Sequence, residues 1–114
     1  MAPKKNPLKL NPLQLKTLTV LQQLATVPMF ASADEATGEV VIHHLPSPHG
    51  NHFHCGDAVV MSKDATGLQN RAVWTALERK GLARSMFPAS IALSPEGLRY
   101  DTGLSDSILH RSDH

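Results

Sequence analysis

Five of the seven histidines lie in one stretch: His43, His44, His49, His52 and His54. Imidazole is a common ligand for zinc and other transition metals, so the cluster raises metal chemistry first. In an extended chain, residues two apart point to one face, which sets His52 beside His54. His44, on a run expected to pair with theirs, is the third ligand this pattern predicts. Cys55 points to the opposite face and does not close a tetrahedral site. The plainer alternative is a set of partly exposed imidazoles on a polar hairpin, giving pH sensitivity alone. As a catalytic thiolate, Cys55 needs a neighbouring base and a lowered pKa; a small buried apolar residue is its simpler role.

No nucleophile–base–oxyanion set, phosphate loop or paired carboxylates with a cleft signature occurs. Asp34 and Glu35 form a loop pair, while Asp57 and Asp64 read as cap and turn residues. The expectation is therefore a binding protein and not an enzyme. The second stretch with chemical promise is Leu68 to Leu82. Its apolar residues Ala72, Val73, Ala76 and Leu77 fall on one side of a helical wheel, and Arg71, Thr75, Glu78 and Arg79 on the other. Trp74 stands at the border and is expected as a core anchor. Asn70 is a suitable N-cap, and Gly81 suits a left-handed C-terminal stop, with Arg79 and Lys80 favourable against the helix dipole.

These stretches belong to a chain of 114 residues, 41% hydrophobic, with a formal net charge of +1. That suits one domain, 11–100, and gives no global field toward nucleic acid or membrane, so any basic surface is local. One cysteine excludes an internal disulfide and points to a reducing, cytoplasmic setting. No run is long enough for a membrane span. The N-terminal Lys4, Lys5 and Lys9 followed by apolar residues resemble a signal peptide, but Gln22 and Gln23 interrupt the apolar region.

Residues 1–10 read as a disordered basic arm. Asn11 then caps a helix that starts at Pro12 and runs to about Ala25. Leu13, Leu18, Val20, Leu21, Leu24 and Ala25 share its apolar half, opposite Lys16, Thr19, Gln22, Gln23 and Thr26, as in an amphipathic surface helix. Residues 27–38 read as a loop. Glu39–Leu45 is β-branched and reads as a strand, folding back through the loop 46–51 onto His52–Cys55. Residues 57–66 are ambiguous: Asp57 caps a helix, or Val59 and Val60 continue a strand, and the helix is preferred. Leu82–Phe87 and Ser90–Leu93 read as two strands joined at Pro88-Ala89. Ser94 and Pro95 open a further helical turn, and 101–114 is a frayed tail.

The succession Ala76-Leu77-Glu78-Arg79-Lys80-Gly81-Leu82-Ala83-Arg84, then Ala92-Leu93-Ser94-Pro95-Glu96-Gly97-Leu98, resembles the end of a winged-helix DNA-binding domain of the MarR type. The resemblance spans residues 57–98. It implies an α+β winged-helix domain of about three helices, a β-hairpin wing and an added His/Pro-rich hairpin. It also implies that residues 69–80 form the recognition helix and residues 82–93 the wing. Asn70, Arg71, Thr75 and Arg79 would then face the major groove of duplex DNA, with Arg84 on the backbone. The wing tip, Met86-Phe87-Pro88-Ala89-Ser90, is apolar where a DNA-binding wing carries charge. No long dimerisation helix follows it. The second expectation is therefore a protein-contact or self-association surface through Met86 and Phe87. A metal- or pH-responsive hairpin, with zinc on His44, His52 and His54, is the third.

Overall fold

A computed structural model describes residues 6–111. Its centre is the helix α1, Pro12–Leu24. Asn11 accepts from the Gln14 amide at 2.8 Å and Gln14 returns the bond to the Asn11 amide at 3.0 Å, a capping box. The expected start and end hold, but the surface-helix expectation does not. Thr19 and Gln23, assigned to the solvent side, are buried along with Leu18, Val20, Leu21 and Leu24. Burial is tolerable because each polar group finds a partner. Thr19 Oγ1 donates to the Leu15 carbonyl at 2.8 Å and lies 2.6 Å from Thr102 Oγ1. Gln23 Nε2 donates to the Cys55 carbonyl at 2.9 Å, and its oxygen accepts from Arg111 at 2.9 Å. Half-buried Gln22 donates to the carbonyls of Gly97 and Tyr100, each at 2.8 Å.

Two antiparallel four-stranded sheets complete the α+β body. The first contains β1 (Ala31–Asp34), β2 (Glu39–Ile42), β6 (Ala83–Met86) and β7 (Ser90–Leu93), in the order β1-β2-β7-β6. The second contains β3 (Pro48–His49), β4 (His52–Cys55), β5 (Ala58–Met61) and β8 (His110–Arg111), in the order β3-β4-β5-β8. Three short helices join them: α2 (Arg71–Arg79), α3 (Pro95–Arg99) and α4 (Ser105–Ile108). The core is aliphatic around one tryptophan, with Trp74, Leu18, Leu21, Leu24, Ile42, Leu77, Leu82, Ile91 and Leu93 all below 2% exposure.

Four expectations are corrected. The loop 27–38 contains β1, an edge strand whose Ala-Ser-Ala-Asp sequence carries no β-branched signal and which forms by pairing with β2. Strand β2 does not fold back on β4; it pairs with β1 and β7, with Ile42 opposite Ile91. Residues 57–66 are not a helix. They form β5, in which buried Ala58 and Val60 alternate with half-buried Val59 and Met61, followed by a 3-10 turn, Ser62–Asp64. The β-branched pair decides this segment, because it fits a pleated surface buried on one side. No helix therefore stands immediately before α2. Lastly, 101–111 is not frayed: Thr102, Ile108 and Leu109 are buried and β8 pairs with β5. The tail residues 112–114 and the arm residues 1–5 lie outside the described residues. From Asn6 the arm is packed, with Leu10 4% exposed and the Leu8 amide donating to the Tyr100 hydroxyl.

Candidate nucleic-acid interface

Local chemistry fixes both ends of α2. The Asn70 side chain accepts from the Ala72 amide at 2.9 Å. At the other end the Leu82 amide donates to Leu77 and the Gly81 amide to Glu78, each at 3.0 Å, with Gly81 at φ +78°. This is a Schellman motif, and the left-handed residue it needs is a glycine. The helix buries Val73, Trp74 and Leu77, and the Trp74 indole N–H donates to the Leu68 carbonyl at 2.9 Å. Trp74 is thus the core anchor that the wheel predicts. Arg71, Thr75, Glu78 and Arg79 remain exposed.

The hairpin β6–β7 stands beside that exposed face, in the register Ala83–Leu93 to Met86–Ser90. Helix and hairpin enclose a shallow groove of about 610 Å³, lined by Arg71, Thr75, Glu78, Arg79, Ser85, Met86 and Phe87. Three contacts set its width. Glu78 Oε1 accepts from the Ser85 amide at 2.8 Å, tying strand to helix. The Phe87 ring meets Trp74 edge to face with centroids 4.8 Å apart, and the Arg71 guanidinium lies 5.1 Å above the Phe87 ring. Phe87 is therefore half-buried, and the tip offers Met86, 43% exposed, in place of a free aromatic.

Five of the residues expected in function come together here: Arg71, Thr75, Arg79, Met86 and Phe87. Two others, Asn70 and Arg84, lie outside it and are already engaged. The Asn70 oxygen is spent on the helix cap. Arg84 forms a two-pronged contact with Glu39, Nη2 to Oε1 at 2.7 Å and Nε to Oε2 at 3.5 Å. That hydrogen bond, and then the Glu39 charge, raises the guanidinium pKa above its ordinary value. Glu78 and Ser85 belong to the groove without having been singled out. The polar wheel face contains Glu78, but its strand partner depends on how closely the hairpin approaches.

The histidines separate into two groups. His43 Nε2 lies 3.3 Å from Ser32 Oγ, and the His44 ring stacks on Phe30 with centroids 5.9 Å apart. His44 is thus not the third member of a set with His52 and His54, since its run follows β2 in the other sheet. His49, directly opposite His52 across the β3–β4 hairpin, takes that place. Among the described residues no group of three or more His, Cys, Asp or Glu side chains is placed to hold a metal ion. Cys55 is fully buried, and burial pushes its thiol up to about 11, which leaves it protonated and inert near neutrality. Among the described residues no helix is long and apolar enough to cross a membrane. No protein-family model matches the chain, and no curated protein or solved structure matches it either.

Proposed function

We propose that the groove between α2 and the β6–β7 hairpin binds nucleic acid, with α2 presented to the major groove of duplex DNA as in a winged-helix domain. One observation carries this. Arg71 and Arg79 project from the exposed face of a single helix, and neither enters an ion pair among the described residues. Eight residues apart, they are separated by about 12 Å along the axis, with Thr75 midway. A major groove is about 12 Å wide, so both cations and the hydroxyl fall within one helix–groove contact. Packing of Arg71 on Phe87 holds that guanidinium before any ligand arrives, which lowers the entropy cost of engaging it. The order helix, hairpin, then Ser94-capped turn also agrees with the resemblance to winged helices. The segment before α2, a strand and a 3-10 turn, departs from it.

A protein-contact role is the second possibility, favoured by exposed Met86 beside a Glu78 carboxylate in the same groove. Amide NMR titration with a short random duplex, first at low salt, separates the two. DNA binding shifts Arg71, Thr75, Arg79 and Ser85 and weakens with salt, with a logarithmic slope of about −2 for two phosphates engaged. No shift at low salt refutes nucleic-acid binding and leaves the protein-contact role.

A further inference from the structure

The second sheet carries a separate constellation. Residues opposite one another across antiparallel strands share a face, as do residues two apart along a strand. His49 faces His52 in the β3–β4 hairpin, His54 faces Val59, and Val59 faces His110 on β8. Four of the seven histidines therefore occupy one face of this sheet, with Val59 and Met61 between them. The opposite face carries Phe53, Cys55, Ala58 and Val60, which are buried or half-buried in the core. The histidine face is turned outward: His49, His54 and His110 are exposed and His52 is half-buried.

Within that face the three hairpin rings converge. His52 Nε2 and His54 Nε2 are 3.2 Å apart, with their rings nearly perpendicular at 78°. The His49 ring centroid lies 5.0 Å from that of His54 and 6.2 Å from that of His52. Two imidazole nitrogens approach this closely in two circumstances: one donates a proton to the other, or both lone pairs point at a shared cation. Zinc–nitrogen bonds of about 2.05 Å at a tetrahedral angle put two ligand nitrogens about 3.3 Å apart. The 3.2 Å spacing of His52 and His54 suits a hydrogen bond between the rings and equally two ligands on one ion.

We propose that His52 and His54 bind a divalent transition-metal ion of the zinc class through their Nε2 atoms, with His49 as the third ligand. As placed, His49 does not complete a three-ligand group with them; it reaches the ion by turning about its side-chain torsions. It is exposed, and a Cβ built on neighbouring Gly50 meets nothing within 4 Å, so space is open at the hairpin tip. Water fills the remaining position, as exposure of the site allows. His110 is two strands from His54, about 9.6 Å away, and does not join the same ion. The second ring nitrogen of His52 already has an acceptor, Asn51 Oδ1 at 3.4 Å, which orients the ring with Nε2 toward the site.

The experiment is zinc titrated into the full chain by calorimetry, followed by histidine side-chain nitrogen NMR. The expected result is one ion per chain, with Nε2 signals of His52 and His54 moved. Affinity should fall at least tenfold in His52→Gln and His54→Gln, fall less in His49→Gln, and stay unchanged in His44→Gln. All four positions are exposed or half-buried, and circular dichroism verifies that each variant folds. Absence of binding up to millimolar zinc overturns the proposal. So does binding that survives in both the His52 and His54 variants, which places the ion elsewhere. DNA titration reads a different face of the molecule, so either proposal can fail without the other.

Discussion

Replacing Phe87 with alanine distinguishes a free hairpin tip from one folded onto the helix. On an exposed tip the substitution changes stability by no more than about 0.5 kcal/mol. In this fold the ring is half-buried against Trp74 and beneath Arg71. Half the burial of a phenylalanine contributes roughly 1 kcal/mol, the edge-to-face contact adds about 1 kcal/mol, and the guanidinium adds about 0.5 kcal/mol. The expected loss is thus about 2.5 kcal/mol. In urea that is a fall of roughly 1 M in the midpoint with an unchanged slope. The chain's single tryptophan, Trp74, supplies a second readout, because its near-ultraviolet dichroism changes when its ring neighbour is removed. Met86→Ala, at the exposed neighbouring position, stays within about 0.5 kcal/mol and serves as the reference. A Phe87→Ala loss below 0.5 kcal/mol with an unaltered tryptophan spectrum would refute the packing of the hairpin on α2, and with it the preset position of Arg71.

Other perturbations probe the parts that support the two sites. Gly97→Ala drives a methyl into the Leu82 carbonyl oxygen, a backbone atom that cannot swing aside, and should cost at least about 3 kcal/mol in chemical denaturation or abolish folding. Gly50→Ala has open space but sits at φ +64°, so strain alone should cost about 1 kcal/mol on the same assay. Thr19→Val removes a buried hydroxyl bonded to both the Leu15 carbonyl and Thr102, which keeps the Leu104 amide as a donor at 3.3 Å; the expected loss is about 1–2 kcal/mol. Cys55 should resist thiol reagents in the native state and react at the rate of global opening. Because its folded pKa is raised, the thiol's contribution is intact below the unfolded value. It declines as pH climbs toward about 11, by roughly 2–3 kcal/mol in all, which pH-dependent denaturation of wild type against Cys55→Ala would register.

What could be read ahead from the residues divides along a physical line. Signals held within a few neighbours were legible: the Asn11 and Asn70 caps, the Gly81 stop, the Ser94-Pro95 start and the β6–β7 hairpin all involve groups close along the chain. Those elements delimit the groove, so its Arg71, Thr75 and Arg79 face was accessible from helical periodicity alone. Partner choice was not legible. Strand β1 exists because β2 offers it an edge, and β2 takes β7 and not β4 because Ile42 is buried against Ile91 in a core assembled from distant segments. The polar side of α1 misleads for the same reason. Thr19 and Gln23 look solvent-facing until Thr102, Cys55 and Arg111, all 32 or more residues away, arrive to satisfy them.

The histidine hairpin lies between these cases. Alternation alone puts His52 and His54 on one face. The third histidine beside them depends on which strand is opposite, and a local signal bears on that too. Gly50-Asn51 is a two-residue connection of the kind that closes a tight hairpin, and it places His49 against His52 without tertiary help. Giving weight to the longer β-branched run at residues 39–45 favours His44, because a strong strand former looks like the natural partner. The short strand prevails because a two-residue turn brings its ends together at little entropic cost, whereas pairing β2 with β4 requires closing the whole loop between them. Once β2 is held by β1 and β7, it has no free edge left to offer.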